Sequence, residues 1–168
     1  MAFEALPRLD DTDWKLLAEL QEDGRASYSE LGRRVALTAP AVAERVRRLE
    51  ESGVIRRFRA EVDPTVLGYP ITAFIRWTSQ GPDCAHLAEV AKEMPEILEC
   101  HRITGETSYI LKAAATSVGH LEQLLDRLMP YGSTITSLVL SSPVVHRSLA
   151  PPEEVEAAGQ HQRAPRSA

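Results

Sequence analysis

Three arginines, Arg45, Arg47 and Arg48, follow Thr38, Ala39 and Ala41 within a single short stretch of chain. A guanidinium is planar, permanently charged and forked, so it matches the paired acceptors of guanine or the oxygens of a phosphate. Small groups at Thr38, Ala39 and Ala41 would let a helix end approach the floor of a groove closely. On a helix Ala41, Arg45 and Arg48 share one face, with Glu44 and Arg47 farther round. The six residues therefore describe a surface able to read duplex DNA. They equally describe a solvated helix carrying i,i+4 ion pairs such as Glu44 to Arg48, and the neighbouring elements decide between the two.

Those elements are legible in residues 26–55. The Ser27 hydroxyl can accept from the Glu30 N–H while the Glu30 carboxylate reaches back to the Ser27 N–H, which is a capping box. Leu31 and Val35 follow on one face. Thr38 is a second N-cap with Pro40 in the first turn, and Val42, Val46 and Leu49 form the buried stripe of the helix it opens. Gly53 closes that helix. Upstream, Asp10 is an N-cap, Leu9 and Trp14 are placed as a hydrophobic staple, and Leu16, Leu17 and Leu20 supply a buried face that ends at Gly24. Two capping signals, a short turn and a supporting helix predict a helix-turn-helix. Residues 54–62 then alternate, with Phe58, Ala60 and Val62 on one side, and predict a strand that completes a winged unit over residues 9–62.

The formal net charge of -5 conceals an asymmetry. Residues 24–60 hold nine arginines against four glutamates, a local balance of +5, whereas the remainder holds 10 basic and 20 acidic residues, or -10. A polyanion responds to the local field. The two cysteines, Cys84 and Cys100, form no Cys-x-x-Cys pair, the five histidines show no metal-ligand spacing, and no nucleophile with its base or phosphate loop is visible. No metal or cofactor is expected. Apolar runs fall short of the ~20 residues a membrane span needs, and the acidic amino-terminal stretch does not resemble a signal peptide, so a cytoplasmic, nucleoid-associated protein is expected.

Residues 63–70 carry two prolines and Gly68 and read as a linker. From residue 71 to 146 the pattern is strand, helix, strand, strand, helix, strand, with Leu87, Val90, Ala91 and Met94 on the first helix and Val118, Leu121, Leu125 and Leu128 on the second. Two such units in tandem predict a ferredoxin-like βαββαβ sandwich, giving an α+β protein overall. One sheet face stays uncovered by helices. Apolar positions such as Phe74 on it predict a homodimer packed sheet to sheet. Residues 150–168, rich in Pro, Ala, Glu and Gln, are expected to be disordered.

Two segments carry a family resemblance. Residues 9–64, with the acid pair, DGR-x-S-x-x-EL, VRRLE and GVI in register, resemble the amino-terminal half of Lrp/AsnC, or feast/famine, transcriptional regulators, and ECHRITGETSYILKA resembles the centre of their ligand-sensing domain. The resemblance implies a sequence-specific regulator that binds double-stranded DNA as a homodimer or as an assembly of dimers, often an octamer. Thr38, Ala39, Ala41, Arg45 and Arg48 match the family's recognition-helix positions. It further implies an amino acid or related metabolite bound between dimers at the turn Thr104, Gly105, Glu106, Thr107, Ser108 and Tyr109, with Thr134 and Thr136 as further lining and His101 counted among the effector-binding set. A Gly-containing turn can present backbone N–H groups to a carboxylate. Where many members carry an Asp before the Tyr, this chain has Ser108. Either Glu106 replaces that anion or the ligand is not a simple amino acid. Two other functions share the layout: an architectural protein that wraps DNA without an effector, and an enzyme resembling sirohaem decarboxylases, for which His101, Arg102 and Tyr109 would be the pocket groups.

Overall fold

The computed structural model describes residues 8–79 and 84–153. The chain divides into two units, one of Met1–Ala60 together with Val144–Ala168 and one of Glu61–Pro143.

In the first unit each helix starts where a side chain satisfies its free N–H groups. Helix α1 (Asp11–Glu22) opens on Asp10, whose carboxylate accepts from the Asp13 N–H at 2.8 Å while the Asp13 carboxylate accepts from the Asp10 N–H at 3.1 Å. Helix α2 (Tyr28–Val35) has the reciprocal pair Ser27 and Glu30, at 3.2 and 2.9 Å. Helix α3 (Ala39–Glu51) is capped by the Thr38 hydroxyl, which accepts from the Ala41 N–H at 3.4 Å. Leu16, Leu31, Val42 and Val46 are fully buried between the three, with Leu20 and Leu49 beside them.

The turn between α2 and α3 is unusually tight. Ala36 takes the left-handed conformation, φ 57 and ψ 43, and the Leu37 N–H donates to the Gly32 carbonyl at 2.8 Å, closing the helix end in a Schellman arrangement. The chain folds back so closely that a Cβ on Gly32 would lie 2.4 Å from the Leu37 carbonyl oxygen. Only glycine fits there.

Residues 54–62 depart from expectation. They form no ladder among the described residues, since a strand needs a neighbour for its N–H and C=O groups and no described segment of this unit pairs with them. Phe58 and Val62 are accordingly about half exposed. The last described stretch of the unit returns to α1. The Gln21 side-chain amide donates to the Leu149 carbonyl at 3.1 Å and accepts from the Leu149 N–H at 2.8 Å, and the Ser148 hydroxyl donates to the Glu22 carboxylate at 2.8 Å.

The second unit is the predicted sandwich. Strands β1 (Ile71–Ser79), β2 (Ile97–Arg102), β3 (Tyr109–Ala115) and β4 (Gly132–Leu138) form one sheet in the order β2-β3-β1-β4, all neighbours antiparallel. Helices α4 (Cys84–Lys92) and α5 (Val118–Leu128) supply Leu87, Ala91, Leu121, Leu124 and Leu128 to a core closed by Ala73, Ile75, Trp77, Leu111 and Ala113 from the sheet. Alternation sends Phe74 and Arg76 of β1 to the other face, in register with Lys112 and Ile110 of β3 and with Ser137 and Ile135 of β4. Phe74 is 41% and Ile135 58% exposed. The final strand, the last element of the pattern expected over residues 71–146, stops at Leu138, because its partner β1 begins at Ile71, just after Pro70, and the last bond between them runs from the Val139 N–H to the Thr72 carbonyl. The tail expected to be disordered lies, from residue 154 onward, outside the described residues.

Ala36 sits where a Cβ costs ~1 kcal/mol and glycine does not. Ala36→Gly should therefore raise the stability of the helix-turn-helix by about 0.5 to 1 kcal/mol, read as a rise of a few degrees in its thermal midpoint. A fall would show that the left-handed geometry is not what limits the turn.

Candidate functional site

The expected DNA-reading residues lie along α3, and their surroundings differ sharply. Thr38 is exposed with its hydroxyl engaged in the cap, while Ala39 and Ala41 are half-buried. Arg45 points to the start of α1. Its guanidinium donates to the Asp10 carboxylate at 2.8 Å and to the Asp13 carboxylate at 2.6 Å, and only 24% of its side chain is exposed. Asp13 is the one charged residue in the buried set among the described residues, at 5% exposure. The backbone N–H of Asp13, then the Arg45 guanidinium, hold the Asp10 carboxyl below its ordinary range, and the Asp10 and Asp13 carboxylates hold the Arg45 guanidinium above its own. Arg45 is thus engaged in joining α1 to α3, a role that sequence reasoning missed.

Arg47 is held on its own helix. It donates to both oxygens of Glu44, at 3.0 and 2.6 Å, and to Glu51 at 2.5 Å. These pairs are more than half exposed and contribute little to stability, but they neutralise the charge locally. Arg48 is exposed and its side chain makes no hydrogen bond or ion pair among the described residues. Of the three recognition-helix arginines it is the one whose donors are available to an incoming base or phosphate.

The expected effector residues gather at one end of the sandwich, with one exception. The turn between β2 and β3 is closed by the Ile103 N–H donating to the Ser108 carbonyl at 3.2 Å, and Gly105 adopts φ 105, a conformation that excludes ordinary side chains. Thr104, Gly105 and Glu106 are exposed. Ser108 ties the turn to the end of β1: its N–H donates to the Trp77 carbonyl at 3.1 Å, and its hydroxyl accepts from the Ser79 N–H at 3.1 Å. The position that would carry an anion therefore carries a structural hydroxyl. Tyr109, Trp77 and Thr134 stand in one row across β3, β1 and β4, and Thr136 follows beside Ile75, all on the helix-covered side. The buried indole N–H of Trp77 has no acceptor among the described residues, so this row holds a polar donor that sequence reading did not find. His101 is not brought to this group. It pairs in register with Ile110, on the open sheet face, 3.3 Å from the Glu99 carboxylate.

Comparison with known proteins supplies a context for both halves. Residues 9–50 match the model of the AsnC-type helix-turn-helix domain, and residues 72–149 match that of the Lrp/AsnC ligand binding domain. The HTH-type transcriptional regulator YezC of Bacillus subtilis is 42% identical over 138 residues, a match covering 82% of this chain and 98% of that protein. The solved structure of B. subtilis LrpC superposes with a TM-score of 0.80 at 34% identity, covering 83% of this chain and all of that one. A complex of the Neisseria meningitidis transcriptional regulator NMB0573 with L-methionine superposes with a TM-score of 0.81 at 33% identity, covering 88% and 99% of the two chains.

Removing Arg45 leaves the largely buried Asp13 carboxylate without its cation. Arg45→Ala should cost about 2 kcal/mol of helix-turn-helix stability at neutral pH, read by chemical denaturation. Because Asp10 titrates below its ordinary value of 3.8 in the folded chain, its share of this stability is complete above that pH and is lost as the pH falls through the lower folded value. The gap between wild type and variant should accordingly narrow in acid; a gap that widens would contradict the ion-paired join.

Proposed function

The chain belongs to the Lrp/AsnC family of DNA-binding transcriptional regulators, and we propose that it is a metabolite-gated member that acts as a homo-oligomer in the cytoplasm. The observation that carries this reading is the conjunction of a complete helix-turn-helix with a sandwich whose β2–β3 turn is opened by Gly105 at positive φ. An exposed turn of this kind offers backbone N–H groups to a carboxylate. An α-amino acid is the ligand class the turn suits, and L-methionine, which the Neisseria regulator holds, is the first to try.

In this reading Thr104, Gly105 and Glu106 supply the entrance, Ser108 fixes the turn, and Tyr109, Thr134 and Thr136 line its flank. Glu106 is the acid near enough in sequence to meet an ammonium in place of the missing aspartate. A second copy covers the open sheet face around Phe74, Arg76, Ile110 and Ile135, since a small sheet leaves such a face in water only at a cost. Dimers then assemble to a larger ring such as an octamer, with effector binding between dimers changing the spacing of the recognition helices. On DNA, Thr38, Ala39, Ala41 and Arg48 contact the groove while Arg45 keeps α3 in position. The architectural alternative differs only in lacking a ligand response.

Two measurements test this. A thermal-shift series against the twenty amino acids, several 2-oxo acids and a tetrapyrrole should show a rise of several degrees with one amino acid, abolished in Gly105→Trp while DNA binding persists. A shift with the tetrapyrrole alone would point to an enzyme, and none with any amino acid would favour an architectural role. Phe74→Glu should convert the oligomer to a smaller species in light scattering; an unchanged mass would place the dimer contact elsewhere.

A further inference from the structure

The positive charge of the DNA-binding unit does not reside on its recognition helix. Helix α3 carries three arginines and three glutamates, a net charge of zero. Arg45 is engaged by Asp10 and Asp13, Arg47 by Glu44 and Glu51, and on α2 Arg34 is engaged by Glu19 at 2.7 Å. Duplex DNA carries a charge about every 1.7 Å of axis, and its affinity for a protein is set largely by the cations that replace its counterions. A neutral helix cannot supply that attraction.

Uncompensated cations are concentrated just after α3. Arg56, Arg57 and Arg59 are exposed and make no ion pair among the described residues. Three guanidiniums in four residues repel one another, and no ion pair among the described residues offsets that repulsion. The segment is nevertheless held. At one end the Ile55 N–H donates to the Leu49 carbonyl at the close of α3, at 2.9 Å, and Ile55 joins the apolar core. In its middle the Phe58 ring lies over the turn before α2, where a Cβ on Gly24 would be 3.5 Å from Phe58 Cδ1. That turn continues into Arg25, exposed and also without an ion pair among the described residues. The arm thus leaves the end of the recognition helix and passes beside the turn before α2, and none of its arginines has an ion-pair partner among the described residues.

We propose that Arg56, Arg57 and Arg59 form a clamp for the phosphate backbone of duplex DNA, which supplies the electrostatic attraction that α3 lacks. The clamp rests on the reading of this chain as a DNA-binding regulator and adds a second contact to it. Phosphate contacts fix register and orientation and carry no base information. In this division of labour the arm gives affinity, and the end of α3 gives choice of sequence.

The test uses the full chain and a fluorescent duplex of mixed sequence, with Kd measured by anisotropy from 50 to 200 mM salt. Each phosphate contact contributes about 0.9 to the slope of log affinity against log salt. The variant carrying Arg56→Ala, Arg57→Ala and Arg59→Ala should lose about 2 to 3 of that slope per bound subunit, and Arg57→Ala alone about 0.9. Circular dichroism and light scattering establish that the fold and oligomer are intact. The triple replacement by lysine, which keeps the charge, should retain the wild-type slope. A slope unchanged in the alanine variant overturns the clamp, and so does a lysine variant that behaves like alanine, since that would mark a contact specific to the guanidinium. If the wild-type chain fails to bind duplex DNA even at 50 mM salt, it is the regulator reading that fails.

Discussion

Helices of twelve, eight and thirteen residues are each at or below the length at which a helix persists alone in water, so the DNA-binding unit exists only through the packing of the three on one another. The join between α1 and α3 is the part of that packing with the least freedom. Apolar contacts between Leu16, Val42 and Val46 hold the helices together but tolerate some sliding. The Arg45 guanidinium does not, because its Nη1 must meet Asp10 and Asp13 at 2.8 and 2.6 Å at once. The same two aspartates cap α1 through each other's backbone N–H groups. One cluster of three side chains therefore starts the first helix and fixes the third against it, and the presentation of Thr38, Ala39, Ala41 and Arg48 depends on that cluster.

This explains which parts of the unit were legible in the sequence. Capping by Ser27 with Glu30 and by Thr38 is local, with donor and acceptor three residues apart, so spacing alone reveals it. The partnership of Arg45 is not local. Its acids lie 32 and 35 residues away, and a charged residue on a helix face looks the same in sequence whether it meets a phosphate or a carboxylate. The alternation in residues 54–62 was equally misleading for a related reason. Period-two patterning states which side chains share a side, but a strand also needs a neighbouring backbone, and none of the described residues of this unit supplies one.

The sandwich was easier to read because both of its helices and the two central strands, β1 and β3, bury one side within the same unit. Alternation along β1 correctly separates Ala73, Ile75 and Trp77 from Phe74 and Arg76. What alternation across strands cannot give without the register is which face a residue on a different strand shares. His101 and Tyr109 flank the same turn, yet one stands on the open face and the other among the buried side chains. Ser108 shows the complementary point. Its departure from the family pattern is visible in sequence, while its use as a brace between β1 and the turn becomes visible only when the Ser79 N–H is placed beside it.

The Gln21 amide grips Leu149 as a neighbouring strand would, using its carbonyl and its amino group together. In consequence the DNA-binding unit is not a contiguous piece of gene. A fragment ended at Ala60, or a chimera that grafts the first sixty residues onto a foreign sensor, leaves behind the segment that completes α1. The host's own carboxyl-terminal stretch would then have to offer a backbone N–H and C=O at the same place.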